Sequence, residues 1–90
     1  MTVSYFATIR TYTGEADLRL DVAPSNLREL LLALSQRYGS LFRRAVLAGD
    51  GLNPQAIILV NGRNVLHLSG LDTSLYSDDK VSIFPMVAGG

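Results

Sequence analysis

The sequence contains no cysteine, a single histidine and only three prolines among its 90 residues. The absence of cysteine excludes a disulfide framework, a thiolate zinc site and a cysteine nucleophile. One histidine, His67, cannot form a metal-binding histidine cluster, and no carboxylate pair has acid–base spacing. We therefore expect no catalytic residue, no metal site and no bound cofactor, so the protein is interpreted as something other than an independent enzyme.

An excess of charge of one sign is also missing, because eight basic residues balance eight acidic ones. Proteins that bind nucleic acid normally carry a basic excess or stripe, so we expect no nucleic-acid partner. No apolar run approaches the roughly 18 residues of a membrane span. The first ten residues lack the basic and apolar regions of a secretory signal, and we expect a cytoplasmic protein with no membrane partner.

Two strands followed by a helix are predicted in the first half of the chain. The segments 3–10 and 17–22 have strand composition, with a hairpin turn expected around Gly14. Leu27, Leu30, Leu31, Leu34 and Tyr38 then recur with helical spacing, which predicts an amphipathic helix. Asn26 and Glu29 have the spacing of a capping box, and Gly39 is the expected left-handed C′ residue.

The second half of the chain is predicted to contain a short helix and three strands. Ser40 is the expected cap of the helix, and Leu41, Phe42, Ala45 and Val46 are expected to face inward. A loop should follow over 49–54, and Asn61-Gly62 suits a type I′ hairpin turn. The predicted strands are 56–60, 64–68 and 81–86.

This element order predicts an α+β domain with a mixed sheet and one main helix packed across one face. A single domain over 1–86 fits the length, with 87–90 as a flexible tail. A ferredoxin-like arrangement is the competing fold, but it requires a second full helix. Pattern alone does not determine the strand order.

Side-chain alternation predicts which residues lie on the sheet face that the helix leaves uncovered. If Val3, Tyr5, Ala7 and Ile9 face the helix, Phe6 and Phe84 lie on the other face. The middle strand is apolar throughout, so either Ile57 with Leu59 or Ile58 with Val60 must join them. We expect a partner-binding surface formed by Phe6, Leu59, Phe84 and Met86. The alternative is that the segment 40–54 covers this face.

The chain ends on two consecutive glycines, Gly89 and Gly90. At a glycine usage of about 7%, this pair arises by chance roughly once in 200 positions, and a frayed terminus is the alternative explanation. A terminal glycine, however, carries a carboxylate with no Cβ beside it. From Val87 to Gly90 an extended chain reaches about 14 Å, and Ala88 is also small. The tail is therefore suited to enter the active site of another protein.

The segment 83-IFPMVAGG-90 resembles the ending of the MoaD/ThiS family of ubiquitin-like sulfur carriers. Molybdopterin-type members of this family commonly end Phe-Pro-Pro-Val-Ala-Gly-Gly. The segments 4-SYFATIR-10, 60-VNGRNV-65 and 71-LDTSLYSDDKVSIFP-85 are similar to family segments in the same order. The resemblance implies a ubiquitin-like β-grasp fold. Met86 departs from the pattern, because it replaces the second proline.

The resemblance also implies a mechanism in which this protein is a substrate. An activating enzyme of the MoeB/ThiF type would use ATP to adenylate the carboxyl group of Gly90, and a sulfur donor would convert it to a thiocarboxylate. A MoaE-type large subunit of molybdopterin synthase would receive the sulfur. Val87, Ala88 and Gly89 are then the neighbours that fit the channel of the partner.

Other destinations for the sulfur remain open, because 67-HLSGLDT-73 is more similar to archaeal and ubiquitin-related-modifier relatives. They are tungstopterin, cysteine biosynthesis and tRNA thiolation. A second hypothesis is a ubiquitin-like modifier that is conjugated to lysines through Gly90. A third is a β-grasp interaction module with an inert tail.

Overall fold

A computed structural model of the chain describes residues 1–86. It contains three α-helices and seven β-strands, together with two 3-10 turns at Val65–His67 and Gly70–Asp72. The helices are α1 (Ala7–Thr13), α2 (Leu27–Tyr38) and α3 (Ser40–Val46). The strands are β1 (Thr2–Tyr5), β2 (Asp17–Arg19), β3 (Leu47–Ala48), β4 (Gly51–Leu52), β5 (Ala56–Val60), β6 (Arg63–Asn64) and β7 (Lys80–Pro85).

Five strands form a mixed sheet in the order β2-β1-β7-β5-β6, and β3 pairs with β4 in a separate two-stranded sheet. The neighbours β1 and β7 are parallel, whereas the other pairs are antiparallel. The helices cover one face of the large sheet, so the predicted α+β class is confirmed. The other face is called the outer sheet face below.

The main helix, α2, begins at the predicted cap. The side chain of Asn26 accepts a hydrogen bond from the Glu29 N–H at 2.9 Å, and the Glu29 carboxylate accepts one from the Ser25 N–H at 3.0 Å. The first of these bonds satisfies an amide group that the first turn of a helix leaves without a partner. The second holds the amide of Ser25, which precedes the cap. The apolar stripe is buried as predicted, with Leu27, Leu30, Leu31 and Leu34 in the core.

The predicted first strand is wrong beyond Tyr5, because residues 7–13 form α1. The Phe6 N–H donates to the Ile83 carbonyl at 3.1 Å, but the Phe6 carbonyl accepts from the Ile9 N–H at 3.1 Å and so begins the helix. The next N–H of β7 that could donate to β1 would come from residue 85. This residue is a proline, which has no N–H. Ala7 turns the chain with a φ of 51°. The ladder between β1 and β7 therefore ends after Phe6.

This change also corrects the predicted hairpin at Gly14. Gly14 has a φ of 73° and ends α1, with its N–H donating to the Arg10 carbonyl at 2.8 Å. β2 still pairs with β1, but across a connection that contains a helix. Ile9 is buried as predicted, although it reaches the core from α1, and Ala7 is exposed rather than buried.

The short second helix was predicted correctly in its position but not in its cap. Gly39, rather than Ser40, is the N-cap of α3, and it is also the residue that ends α2. Phe42 and Val46 are buried and Ala45 is half-buried, whereas Leu41 is 58% exposed and does not face inward. The predicted loop at 49–54 contains the short strand β4.

The turn between β5 and β6 has the conformation that Asn61-Gly62 predicts. Asn61 and Gly62 have φ values of 52° and 81°, the positive values that a type I′ turn requires. The returning strand was predicted at 64–68 but occupies only Arg63–Asn64. It ends there because the Asn64 side chain accepts a hydrogen bond from the Leu66 N–H at 2.9 Å and turns the chain into a 3-10 helix.

Gly39 joins α2 to α3 in a backbone conformation that favours glycine. Its φ of 100° and ψ of −168° lie in a region open essentially to glycine alone, so its φ is positive as predicted but its ψ is not that of a left-handed helix. No atom lies within 4 Å of a Cβ placed there. We expect Gly39→Ala to lower the free energy of unfolding by about 1–3 kcal/mol through backbone strain alone.

The matched control is Gly51→Ala in β4, where the nearest atom to an added Cβ is the Ala48 oxygen at 4.0 Å. Chemical denaturation should show little change for this variant. Equal stability losses in the two variants would contradict the assignment of strain to Gly39.

Buried aromatic residues connect the sheet to the helices. The Tyr5 ring lies edge-on to Tyr38 and Phe42, with centroids 5.5 and 6.2 Å away. The Tyr5 hydroxyl donates to the Tyr38 hydroxyl at 3.1 Å, and Tyr38 donates to the Glu15 carboxylate at 2.5 Å. Burial, followed by the hydrogen bond with Tyr38, raises the pKa of Tyr5 far above its usual value. Burial is also the main cause of the raised pKa of Tyr38.

These shifts predict that stability decreases in alkaline solution. A tyrosine in the unfolded chain loses its proton near pH 10, whereas the folded state keeps Tyr5 neutral. Above that pH the unfolded state binds fewer protons, so the free energy of unfolding decreases as pH rises, by up to about 1.4 kcal/mol per pH unit for one tyrosine. Tyr5→Phe should make this decrease shallower in denaturation experiments between pH 9 and pH 11, a range of about one unit on either side of that value. Identical pH profiles would contradict it.

Candidate functional site

The outer sheet face is organised in three rows that cross the strands. Strand pairing places Lys80, Thr2 and Arg19 in one row, and Leu59, Ser82, Ser4 and Asp17 in the next. Ile57 and Phe84 form a third row. Since directly paired residues share a face, the surface is polar toward the start of β7 and apolar toward its end.

The apolar row is extended by Phe6. The rings of Phe6 and Phe84 stack with their centroids 4.2 Å apart and an angle of 9° between their planes. Both side chains, like those of Ile57 and Leu59, are half-buried although no element of residues 1–86 packs over this face. A stacked aromatic pair beside two aliphatic side chains is a surface suited to a protein partner.

The polar rows contain groups that can orient such a partner. The Ser4 hydroxyl donates to the Asp17 carboxylate at 2.7 Å. Lys80 and Arg19 are exposed at the opposite end from Phe84. A rim of this kind beside an apolar patch is typical of protein interfaces.

The chain leaves the sheet directly beside the apolar row. The Met86 N–H donates to the carbonyl of Gln55, the residue before β5, at 2.6 Å. The pairing between β7 and β5 therefore extends to Met86. Met86 lies two residues after Phe84, so alternation gives both the same face, and 47% of its surface is exposed. The described part of the chain therefore ends at the edge of the apolar row.

The segment 40–54 does not cover this face. Phe42 of α3 packs on Tyr5, and Tyr5 points to the helical side of the sheet because its neighbours Ser4 and Phe6 point to the other. Val46 is also buried in the core. The alternative explanation for the apolar residues is therefore wrong.

All four residues predicted for partner binding, Phe6, Leu59, Phe84 and Met86, lie on the outer sheet face. The sequence left the choice open in the middle strand. Register resolves it, because Ile58 and Val60 pair with the buried Ile83 and Val81, which leaves Ile57 outside with Leu59. The predicted modified residue Gly90 and the tail residues Val87, Ala88 and Gly89 lie outside the described residues.

Within residues 1–86, no group of three or more histidine, aspartate or glutamate side chains could hold a metal ion. No helix in that part of the chain is long and apolar enough to cross a membrane. His67 is exposed at the end of a 3-10 turn.

The fold has counterparts among solved structures that cover nearly the whole chain. In the crystal structure of the Amycolatopsis orientalis BexX/CysO complex, the matching chain is 27% identical with a TM-score of 0.84, covering 99% of this chain and 98% of that one. The solution structure of small archaeal modifier protein 1 from Methanosarcina acetivorans is 33% identical with a TM-score of 0.81, covering 99% and 94%. The fold defines a ubiquitin-like β-grasp protein.

Sequence comparison defines the family. The ThiS family model matches residues 3–90. A protein of Archaeoglobus fulgidus, whose name classes it provisionally as a sulfur carrier protein, is 40% identical over 77 residues, which cover 86% of this chain and 88% of that protein. Small archaeal modifier protein 3 of Haloferax volcanii is 38% identical over 88 residues, covering 96% and 94%. The chain therefore belongs to the ThiS family.

Proposed function

We propose that this protein is a sulfur carrier whose working group is the carboxylate of Gly90. An activating enzyme of the MoeB/ThiF type binds the outer sheet face and uses ATP to form an acyl adenylate at Gly90. A sulfur donor then displaces AMP and leaves a thiocarboxylate. The protein is a substrate in these steps and supplies no catalytic side chain.

The position of the stacked aromatic pair supports this proposal. The stacked pair Phe6–Phe84 lies beside Met86, the last described residue before the four-residue segment that ends in Gly-Gly. A partner that covers the apolar row is therefore close to the segment that it must modify. The match to the family model, which extends through residue 90, supports the assignment of the chemistry to that end.

For the destination of the sulfur, we propose molybdopterin formation on a MoaE-type large subunit. The ending Phe-Pro-Met-Val-Ala-Gly-Gly supports this choice through its resemblance to molybdopterin-type members. Tungstopterin, cysteine and tRNA thiolation are the alternative destinations. The molecule that accepts sulfur from the purified thiocarboxylate distinguishes them.

The second candidate function is a protein modifier joined to lysines through Gly90. The similarity to small archaeal modifier protein 3, at 38% identity over 88 residues, favours this candidate specifically. Both functions share the adenylate and differ in the nucleophile that attacks it, sulfur for a carrier and an amine for a modifier.

An experiment with a cognate activating enzyme, ATP and a sulfur donor separates the candidates. A carrier exchanges one carboxylate oxygen for sulfur, which intact-mass spectrometry detects. A modifier forms ladders of heavier conjugates in cell extract, and these disappear when Gly90 is deleted. A chain that forms neither adenylate nor product would be an interaction module with an inert tail, and the proposal would be wrong.

A further inference from the structure

The chain contains very few primary amines. Of its eight basic residues seven are arginines, and Lys80 is the single lysine. A guanidinium group keeps its proton under all ordinary conditions and is a poor nucleophile toward acyl groups, whereas a lysine amine can attack them. The α-amino group of Met1 donates to the Leu20 carbonyl at 2.9 Å, and Met1 is buried. Lys80 is therefore the accessible primary amine of the chain.

The backbone of Lys80 is held on both sides by Asn61. The Lys80 N–H donates to the Asn61 side-chain oxygen at 2.9 Å, and the Lys80 carbonyl accepts from the Asn61 N–H at 2.8 Å. The neighbouring Asp79 carboxylate is already engaged, since it accepts from the Asn61 side chain and from the Tyr76 N–H at 2.8 Å each. Among residues 1–86, no carboxylate forms an ion pair with Lys80.

Lys80 lies on the same sheet face as the apolar row. It is exposed and pairs with Thr2 on the outer sheet face, which also carries Phe84. Phe84 lies four residue steps after Lys80 along β7, a distance of about 13 Å. A second protein domain attached to the Lys80 amine would therefore lie over or beside the apolar row.

We propose that Lys80 is an acyl-acceptor site for the activated carboxyl group of a second copy of this chain, and that its acylation closes the outer sheet face of the accepting copy. This inference rests on the proposed activation of Gly90. The deprotonated Lys80 amine attacks the carbonyl carbon of the Gly90 adenylate on the donor copy. A C–N bond forms, the acyl–oxygen bond to AMP breaks, AMP leaves with the electron pair, and the amine proton passes to solvent.

The linkage has a consequence for sulfur transfer. The donor copy has used its carboxyl group in the isopeptide bond. The accepting copy retains Gly90 but has a covered outer sheet face, so the activating enzyme cannot engage it. A linked pair therefore carries no sulfur, and linkage competes with thiocarboxylate formation whenever sulfur is scarce.

The first experiment incubates the protein with its activating enzyme and ATP, without a sulfur donor, and measures intact masses. We expect a covalent dimer whose mass is two chains less one water, cross-linked between Gly90 and Lys80. Lys80→Arg keeps the positive charge of this polar row and removes only the amine, so it should form the adenylate but no dimer. Adding Arg19→Lys to that variant returns an amine to the same row of the face and should restore the dimer.

The outcomes separate this inference from the proposed function. Absence of the adenylate in the wild-type protein contradicts the proposed function. Normal adenylation without a dimer, or a dimer that persists in Lys80→Arg, overturns the Lys80 assignment alone.

A second experiment tests closure of the face. A succinimidyl-biotin reagent should label Lys80 at least about ten times faster than the Met1 amine, whose labelling requires local opening. The labelled protein should bind the activating enzyme at least about tenfold more weakly, and the same treatment of Lys80→Arg should leave its affinity unchanged. Undiminished affinity of the labelled wild type, or equal losses in both proteins, would overturn the claim that a group on Lys80 blocks docking.

Discussion

Removal of Gly90 is expected to abolish activation of the carboxyl end and to leave the fold intact. The deletion moves the terminal carboxylate back along the chain by about 3.3–3.6 Å. Because a misplacement of about 1 Å can slow a reaction about a hundredfold, we expect adenylate formation to fall at least that far. Pyrophosphate release in the presence of the activating enzyme measures it.

The free energy of unfolding is the control measurement for this deletion. Among residues 1–86, the buried core is formed by side chains between Met1 and Ile83. Gly90 has no side chain, so its loss removes none from the core. The free energy of unfolding should change by less than about 0.5 kcal/mol. Gly90→Ala, which retains the length and adds a Cβ, should keep more activity than the deletion. A deletion variant that is activated normally, or that unfolds far more easily, would contradict the assigned role of the tail.

Replacement of Phe84 with alanine is expected to weaken binding of the activating enzyme more than it weakens the fold. Phe84 is half-buried, stacks on Phe6 and belongs to the apolar row beside the chain exit. Aromatic residues at the centre of an interface commonly contribute 2 kcal/mol or more, which corresponds to roughly a thirtyfold loss of affinity. The stability loss should remain about 1–2 kcal/mol, because part of the ring is exposed before binding.

The matched control is Leu41→Ala on α3. Leu41 is also a large apolar residue, 58% exposed, but it lies on a helix that packs on the other side of the sheet. Calorimetric titration should give this variant an unchanged affinity. Because Phe6 and Phe84 touch, the loss in the double variant Phe6→Ala/Phe84→Ala should be smaller than the sum of the two single losses. Equal losses from Phe84→Ala and Leu41→Ala would contradict the docking surface.

The parts of the fold that were predictable are those determined by local chemistry. The stripe of leucines and the Asn26 cap define α2 without reference to any other element. Asn61-Gly62 likewise determines the turn between β5 and β6. The outer positions of Phe6 and Phe84 follow from strand alternation, because a change of face would expose the buried positions Val3 and Tyr5.

The parts that were missed depend on contacts distant in the sequence. Residues 7–13 are rich in β-branched side chains, which favour a strand, yet they form α1 because Pro85 offers Phe6 no further ladder hydrogen bond. β5 is apolar on both faces, so only its register with β7 shows that Ile57 and Leu59 are outside. The role of Lys80 becomes visible only when strand pairing places it on the same face as Phe84.

The main-chain carboxylate of Gly90 is the group on which we propose that the chemistry occurs. The most direct test is mass analysis of the C-terminal peptide after incubation with the activating enzyme, ATP and a sulfur donor. We predict replacement of one oxygen by sulfur at Gly90, no sulfur on any side chain, and a much slower reaction in Phe84→Ala. Sulfur bound at any other residue, or an unmodified C-terminal peptide from a protein that binds the enzyme and hydrolyses its ATP, would contradict the claim.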